Sequence, residues 1–285
     1  MKAAVAHSHW RPGLVVALLA LAVYSVIALA VAAGWMSNGW TGISGQSWEP
    51  ASAEHWFGTN QVGQDIFARA MIGTRSAFSI GIVVTLGALL AGAMLGLIAG
   101  LHPNRWVDRA VLWLAAVFDS VPFYLLAAAV LFAFGEHPAG LYGAMIAAFW
   151  TSHARLLRGE VMRLSQLDFI TAARLAGLNR WQVAWRHLLP NSGPVLLIQS
   201  TIVFVSAIKT EIVLSFIGLN GQHTVSWGMM LSDSTQELPV GQFNNFLAAT
   251  LMLSGLILAM NVVNDALQDW LDPRYQSRGA SHGAA

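Results

Sequence analysis

The sequence predicts an all-α membrane protein of six transmembrane helices, with one long polar segment between the fourth and fifth. Three observations carry that expectation. The chain of 285 residues is 56% hydrophobic and only 10% charged, which lies outside the composition of soluble domains. Its acids, bases and histidines are bunched, leaving Leu14–Gly34 and Ser76–Leu101 without any. Twelve of the fifteen Lys and Arg residues fall where six spans place one face of the membrane: Lys2, Arg11, Arg105, Arg109, the six from Arg155 to Arg186, Arg274 and Arg278. Arg69 and Arg75 fall near the other face and Lys209 within a span. Positive charge marks the cytoplasmic side, so both termini and the central segment are expected there.

Residues 1–13 are the cytoplasmic N-terminus and 14–34 the first span. A secretory signal peptide is the rival reading of that run, but about 20 apolar residues suffice to cross the hydrocarbon. Residues 35–75 form an extracytoplasmic loop, rich up to position 65 in Gly, Ser, Trp and Asn, with Glu49, Glu54 and Asp65. Trp35, Trp40, Trp48 and Trp56 belong to an interfacial belt or pack a small outer cap.

The second span, 76–101, carries Gly81, Gly87, Gly92, Gly96 and Gly100, a spacing that lets helices approach closely. A third span runs to about Phe134 and should kink at Pro122, which cannot donate to the carbonyl of Phe118. Asp119 lies about 15 Å up this helix from Arg109, near mid-membrane, as a hydrogen-bonded packing residue or a path lining. The fourth span begins at about Leu141. The fifth follows Pro190, carries Gln199, Lys209 and Glu211, and breaks near Gly218; Lys209 and Glu211, two apart, do not face each other on a helix. The last span covers about Phe246 to Asn264, and 276–285 is a flexible tail.

The central segment, 159–190, reads as two short helices. Val161, Leu164, Leu167, Ile170, Ala173 and Leu175 have helical spacing in the first. Gly177 supplies a stop, and Asn179 caps a second helix that runs to His187 and ends at Pro190. Helix, glycine, helix with arginines has the outline of a DNA-binding unit, and also of an ordinary cytoplasmic loop; spans on both sides leave little freedom to enter a major groove.

Thr171-Ala-Ala-Arg-Leu-Ala-Gly-Leu-Asn179, followed by Trp185-Arg-His-Leu-Leu-Pro-Asn191, resembles the EAA loop of permease subunits from binding-protein-dependent ABC importers. Ala172, Ala173, Gly177, Leu189, Pro190 and Asn191 match that pattern, while Thr171 stands where the family has Glu. The Gly58–Asp65 stretch resembles the peptide and nickel branch through Gly58, Thr59, Gly63 and Asp65, with Asn60 and Gln64 departing. Glu211, Leu214, Ser215, Phe216, Gly218, Leu219, Ser226, Trp227 and Gly228 match a third family stretch. Asp269 (loosely), Asp272, Pro273 and Arg274 resemble its closing one, so the resemblance covers about 57–275.

That resemblance implies a type I ABC importer permease fold, multi-pass in a bacterial inner membrane and similar to the "C" permease of dipeptide and oligopeptide importers. Thr171, Ala172, Ala173, Gly177, Leu178, Asn179, Leu189 and Pro190 would couple to the ATPase. The implied partners are a second permease in a heterodimer, two ATP-binding subunits and an extracytoplasmic solute-binding protein. Peptides are the first expectation for cargo, with nickel complexes and glutathione-like or opine-like solutes in reserve. Asp119, Gln199, Lys209 and Glu211 are the candidate path residues.

With lysine only at positions 2 and 209 the chain has no P-loop, so no cofactor is expected in it and ATP and magnesium would belong to partner subunits. Cysteine is absent, which removes thiolate metal sites. The nine histidines are scattered, and neither a metal site nor a catalytic constellation is expected. The alternatives are an ion-coupled secondary transporter using Asp119 or Glu211, and a membrane-embedded enzyme or scaffold. No repeat relates the halves, which speaks against the first of these.

Overall fold

The structure, a computed structural model, describes residues 12–35, 42–134, 138–218 and 225–271. The termini, residues 36–41 with Trp40, and the matched Leu219, Asp272, Pro273 and Arg274 lie outside them. Ten α-helices account for most of the described chain: α1 Pro12–Ala32, α2 Ile66–Leu101, α3 Trp106–Ser120, α4 Phe123–Phe134, α5 Pro138–Leu164, α6 Asp168–Leu175, α7 Arg180–Val183, α8 Leu189–Phe216, α9 Trp227–Glu237 and α10 Asn244–Leu271.

The helix α2 is the axis of the bundle, packed against α5, α8 and α1. It starts ten residues before the span read from hydropathy, because Asp65 caps it by accepting from the Ala68 amide at 2.7 Å. The expected glycine face is what meets α5. A Cβ on Gly92 would lie 2.5 Å from the Trp150 carbonyl, and one on Gly100 would lie 2.8 Å from Val161 Cβ; Gly96 abuts the Ala154 backbone. Removing Cβ lets the two backbones touch, so dispersion contacts accumulate along the whole interface. The matched positions increase together along both helices, so α2 and α5 run parallel. Gly81 against Phe204, and Ala77 with Ile208 in one cluster, set α8 antiparallel to both.

Parallel α2 and α5 require the chain between them to return across the layer. The pair α3–α4 does this, with a 91° break between them at Ser120-Val121-Pro122. The expectation was a kink; the structure has an elbow. Pro122 denies Phe118 its helical donor and disfavours the helical region for Val121, which is extended at φ −87°, ψ 127°.

Among the described residues, α1, α2, the continuous helix 180–216 and α10 are long and apolar enough to cross a membrane, and the α3–α4 pair, apolar enough only when taken together, is a broken span or a re-entrant loop. At 27 residues α5 is about 40 Å long, but His153, Arg155 and Arg158 lower its hydropathy. Length and apolarity alone therefore do not reach the expected six spans.

The ends of α2 and α5 share one side of the bundle, called the lower end here. Exposed Trp106, Trp181, Trp185 and Trp270 ring that end, as interfacial aromatics do. At the upper end the loop 42–65 forms a cap over the start of α2. Its Gln61 amide donates to the Glu237 carboxylate at 3.0 Å, and Arg69 reaches Asp233 at 2.6 Å and bonds Gln64. Buried Arg69 thus departs from the charge bias for a structural reason.

Substituting Gly92→Ala forces a methyl into the Trp150 carbonyl, and overpacking of this kind costs about 1–3 kcal/mol. Gly143→Ala, with no atom within 4 Å of the added carbon, should leave stability unchanged or raised. Thermal unfolding of the two variants in detergent separates them.

Candidate functional site

At the lower end, the segment 165–190 is built from a break, a short helix and a capped restart. The helix α5 continues to Leu164, so residues 159–164 extend the fourth span and do not open a separate helix. A turn follows, with Leu167 donating to the Leu164 carbonyl at 3.0 Å, and α6 begins in a new phase. That reset corrects part of the expected apolar face. Val161, Leu164 and Ile170 are buried, whereas Leu175 is 85% exposed and Leu167 is also exposed.

Ile170 seats α6 on a core made by Leu97 of α2, Leu157, Val161 and Leu164 of α5, and Val183, Leu188 and Leu196 beyond it. Asp168 in its first turn and Arg174 in its last complement the helix dipole. Thr171, Ala172 and Gly177 are exposed on the far side, and Ala173 is half-buried.

Gly177 stops α6 as expected, at φ +87°. Its amide donates to the Arg174 carbonyl at 3.0 Å and that of Leu178 to Ala173 at 3.2 Å, the paired bonds of a Schellman motif. No atom lies within 4 Å of a Cβ placed there, so the surface is open to a partner. Asn179 then accepts from the Gln182 amide at 2.9 Å while the Gln182 side chain accepts from the Asn179 amide at 2.8 Å, a complete capping box.

The second helix does not end at Pro190. It is continuous from Arg180 to Phe216. The turn Ala184–Leu188 is π-helical and the Leu189 amide donates to the Ala184 carbonyl, so the helix passes into α8 with Pro190 in its first turn, where a missing amide costs least. Asn191 Nδ2 donates to the His187 carbonyl at 2.6 Å.

Two ion pairs, one unforeseen and one half-foreseen, tie α3 to α5. Arg158 forks onto Asp108 with Nε–Oδ1 of 2.5 Å and Nη2–Oδ2 of 2.8 Å, and Asp108 is 1% exposed. Higher up, Arg155 Nη2 lies 2.5 Å from Asp119 Oδ2, and Thr151 donates to Asp119 Oδ1 at 2.9 Å. This second pair is open, with side chains 48% and 36% exposed. Arg155 and Arg158, which the charge bias counts with the cytoplasmic face, lie within α5. Spacing puts Asp108 and Asp119, eleven residues apart, on one face of α3, but the arginines are three residues apart on α5, so spacing alone does not identify the partners.

The other path candidates separate. Gln199, Ser206 and Lys209 share one stripe of α8 with exposed Ile202, Val213 and Phe216. Glu211 lies on the opposite face, 2% exposed, and accepts from Ser215 at 2.5 Å. Among the described residues, no group of three or more His, Asp or Glu side chains could hold a metal ion.

Residues 92–277 match the family described as binding-protein-dependent transport system inner membrane component, a match that spans the ion pairs, α6 and α8. The chain belongs to that family. It is 36% identical over 231 residues to a dipeptide transport system permease, DppC, of Alkalihalophilus pseudofirmus, covering 79% of this chain and 74% of that one. A glutathione transport system permease, GsiD, of Pectobacterium atrosepticum is 34% identical over 235 residues, 80% of this chain and 76% of the relative. An oligopeptide transport system permease, OppC, of Bacillus subtilis is 32% identical over 230 residues, 79% and 74%. The protein is therefore an inner-membrane permease component of an ABC transport system, working with ATP-hydrolysing subunits and a solute-binding protein, and it is a transporter part, not an enzyme.

Truncating Arg158 to Ala leaves the buried Asp108 carboxylate without its cation and should destabilise by about 3–5 kcal/mol. Asp119→Asn, at an exposed pair, should cost about 1 kcal/mol or less. Thermal unfolding of both variants tests the contrast.

In the upper cap, His55 Nδ1 lies 2.8 Å from Asp65 Oδ2, and Nε2 lies 3.8 Å from Glu49. The hydrogen bond to Asp65 holds the imidazole pKa above its usual 6.5, against burial and with help from both carboxylate charges. A raised pKa favours the folded cap while the imidazole is protonated. Its contribution is complete below pH 6.5 and disappears as pH rises through the folded-state value. Protease resistance of residues 42–65 should fall over that window in the native protein and lose this dependence in His55→Gln.

Proposed function

We propose that this permease moves peptides or similar small solutes inward, as one half of a heterodimer with a second permease of the same kind. ATP and magnesium are bound by two partner subunits, not by this chain. The solute-binding protein docks on the upper, extracytoplasmic end, and both termini and the segment 159–190 face the cytoplasm. In this reading α5 is a crossing despite its arginines, because Thr151, Arg155 and Arg158 face α3 and His153 faces Ser200 of α8, and the chain crosses six times.

The observation that carries the proposal is the placement of α6. One face is seated on the α2–α5–α8 core, while small Thr171, Ala172 and the open Gly177 turn outward. Such a surface admits close approach by an ATPase groove. Ala173, Leu178 and Asn179 fix its angle, and the Leu189-Pro190 junction transmits its motion into α8. ATP-driven closure of the partners would then alternate access along a path bordered by Asp119, Gln199 and Lys209. Glu211, bonded on the core face, has a structural role in this scheme. No observation favours ion coupling: Asp119 is held by Arg155 and Thr151, and Glu211 by Ser215. Relatives named for dipeptides, oligopeptides and glutathione support the cargo class.

Gly177→Trp should abolish uptake of a labelled dipeptide by vesicles while the chain remains inserted, because the indole fills the approach and strains the left-handed turn. Uptake at the native rate would overturn the docking assignment. Purification in mild detergent, with identification of the co-purifying subunits and of the ligand on the binding protein, tests the assembly. An active homodimer would overturn that part.

A further inference from the structure

The two ion pairs between α3 and α5 differ in a way that assigns them different tasks. The lower pair, Asp108–Arg158, is bidentate, and its carboxylate is 1% exposed. Breaking it strands a buried charge. The upper pair, Asp119–Arg155, is single-pronged and open to its surroundings on both sides. An open pair separates at little cost, whereas separating the lower one leaves a buried carboxylate without its cation. Under load, the upper pair opens first.

Its position decides what that opening would move. Asp119 is the penultimate residue of α3, immediately below the 91° elbow. Above the elbow α4 packs along the upper half of α5, with Phe123 against Phe149 at 5.3 Å and Ala127 and Leu131 against Leu141 and Met145. Below it, α3 is fixed by Ala115 and Phe118 against Trp150 and Ala154 and by the buried pair. Thr151 and Arg155, one turn apart on α5, together grip both carboxylate oxygens of Asp119. At its lower end α5 is joined to α6 by only Ser165-Gln166-Leu167. Displacement of α6 therefore reaches Arg155 through nine residues of unbroken helix. A charged pair at mid-depth that is this exposed also has to face water or protein, not lipid.

We propose that Asp119–Arg155, steadied by Thr151, is a latch that closes the α3–α4 elbow onto α5, with Asp108–Arg158 as the pivot. Displacement of α6 by the ATP-binding subunits opens it. This deepens the permease reading given above and rests on it. Asp119 and Arg155 are positioning residues: they act on the path through the elbow.

The natural chain contains no cysteine, so a single probe is unambiguous. Val121→Cys, at the elbow and 39% exposed in the native residue, is introduced into the assembled complex. Its rate of modification by the hydrophilic sulfonatoethyl methanethiosulfonate is read from the mass of this chain, without nucleotide and after trapping with ATP and vanadate. Trapping should change the rate about tenfold, within the range of allosteric coupling. Adding Asp119→Asn, which keeps the side-chain size and the acceptor for Thr151, should give the trapped rate without nucleotide. Exchanging the charges, Asp119→Arg with Arg155→Asp, should restore the nucleotide response, which a purely structural role would not do.

A rate indifferent to trapping in the unsubstituted pair, unchanged by Asp119→Asn, or unrestored by the exchange overturns the latch. Failure of ATP-binding subunits to co-purify with the native chain would instead overturn the functional reading on which it rests.

Discussion

Contact between the backbones of α2 and α5 is the constraint on which the rest of this structure depends. Gly92, Gly96 and Gly100 remove the side chains that would hold the two helices apart, and in a bilayer such packing has to supply much of what the hydrophobic effect supplies in water. Once these helices lie parallel and touching, the chain between them must come back, and α3–α4 has to find its place on the outside of α5. The elbow, the two ion pairs and the seat of α6 follow from that arrangement.

Charge within the bundle obeys a related rule. A cation or carboxylate in the hydrocarbon region has to find a partner or water. The arginines and acids do so: Arg158 meets Asp108 and Arg69 meets Asp233 across helices, and Glu211 accepts from Ser215 one turn along α8. The two ion pairs join elements far apart in sequence and so fix tertiary geometry as well as charge. Only some are deeply buried, and that difference separates permanent fastenings from those that can open.

The segment between α5 and α8 combines rigidity with exposure. A Schellman stop and a capping box satisfy its backbone groups locally, so it needs no further strand or helix to hold its shape. Ile170, Val183, Ala184 and Leu188 anchor it to the core. The opposite face is left with small side chains and an open glycine. At its far side the π turn before Pro190 keeps 180–216 one helix, so that a push on the segment is carried into the membrane and not lost at a break.

The sequence by itself determined the class of the protein, the inner-membrane spans with strong hydropathy, the glycine face of α2, the break at Pro122, and the Gly177 stop with its Asn179 cap. These are local: each depends on residues within a turn or two, through periodicity, capping or a missing amide. The family, too, was legible in short motifs. What only the tertiary structure decided was which residues meet. It made α2 and α5 parallel, set Arg155 and Arg158 on the face of α5 that grips α3, turned Leu175 outward and Glu211 inward, and carried a helix through Pro190. Each of these depends on packing between segments distant in the chain, where a small phase change at a turn redirects every following side chain, and no local pattern records that phase.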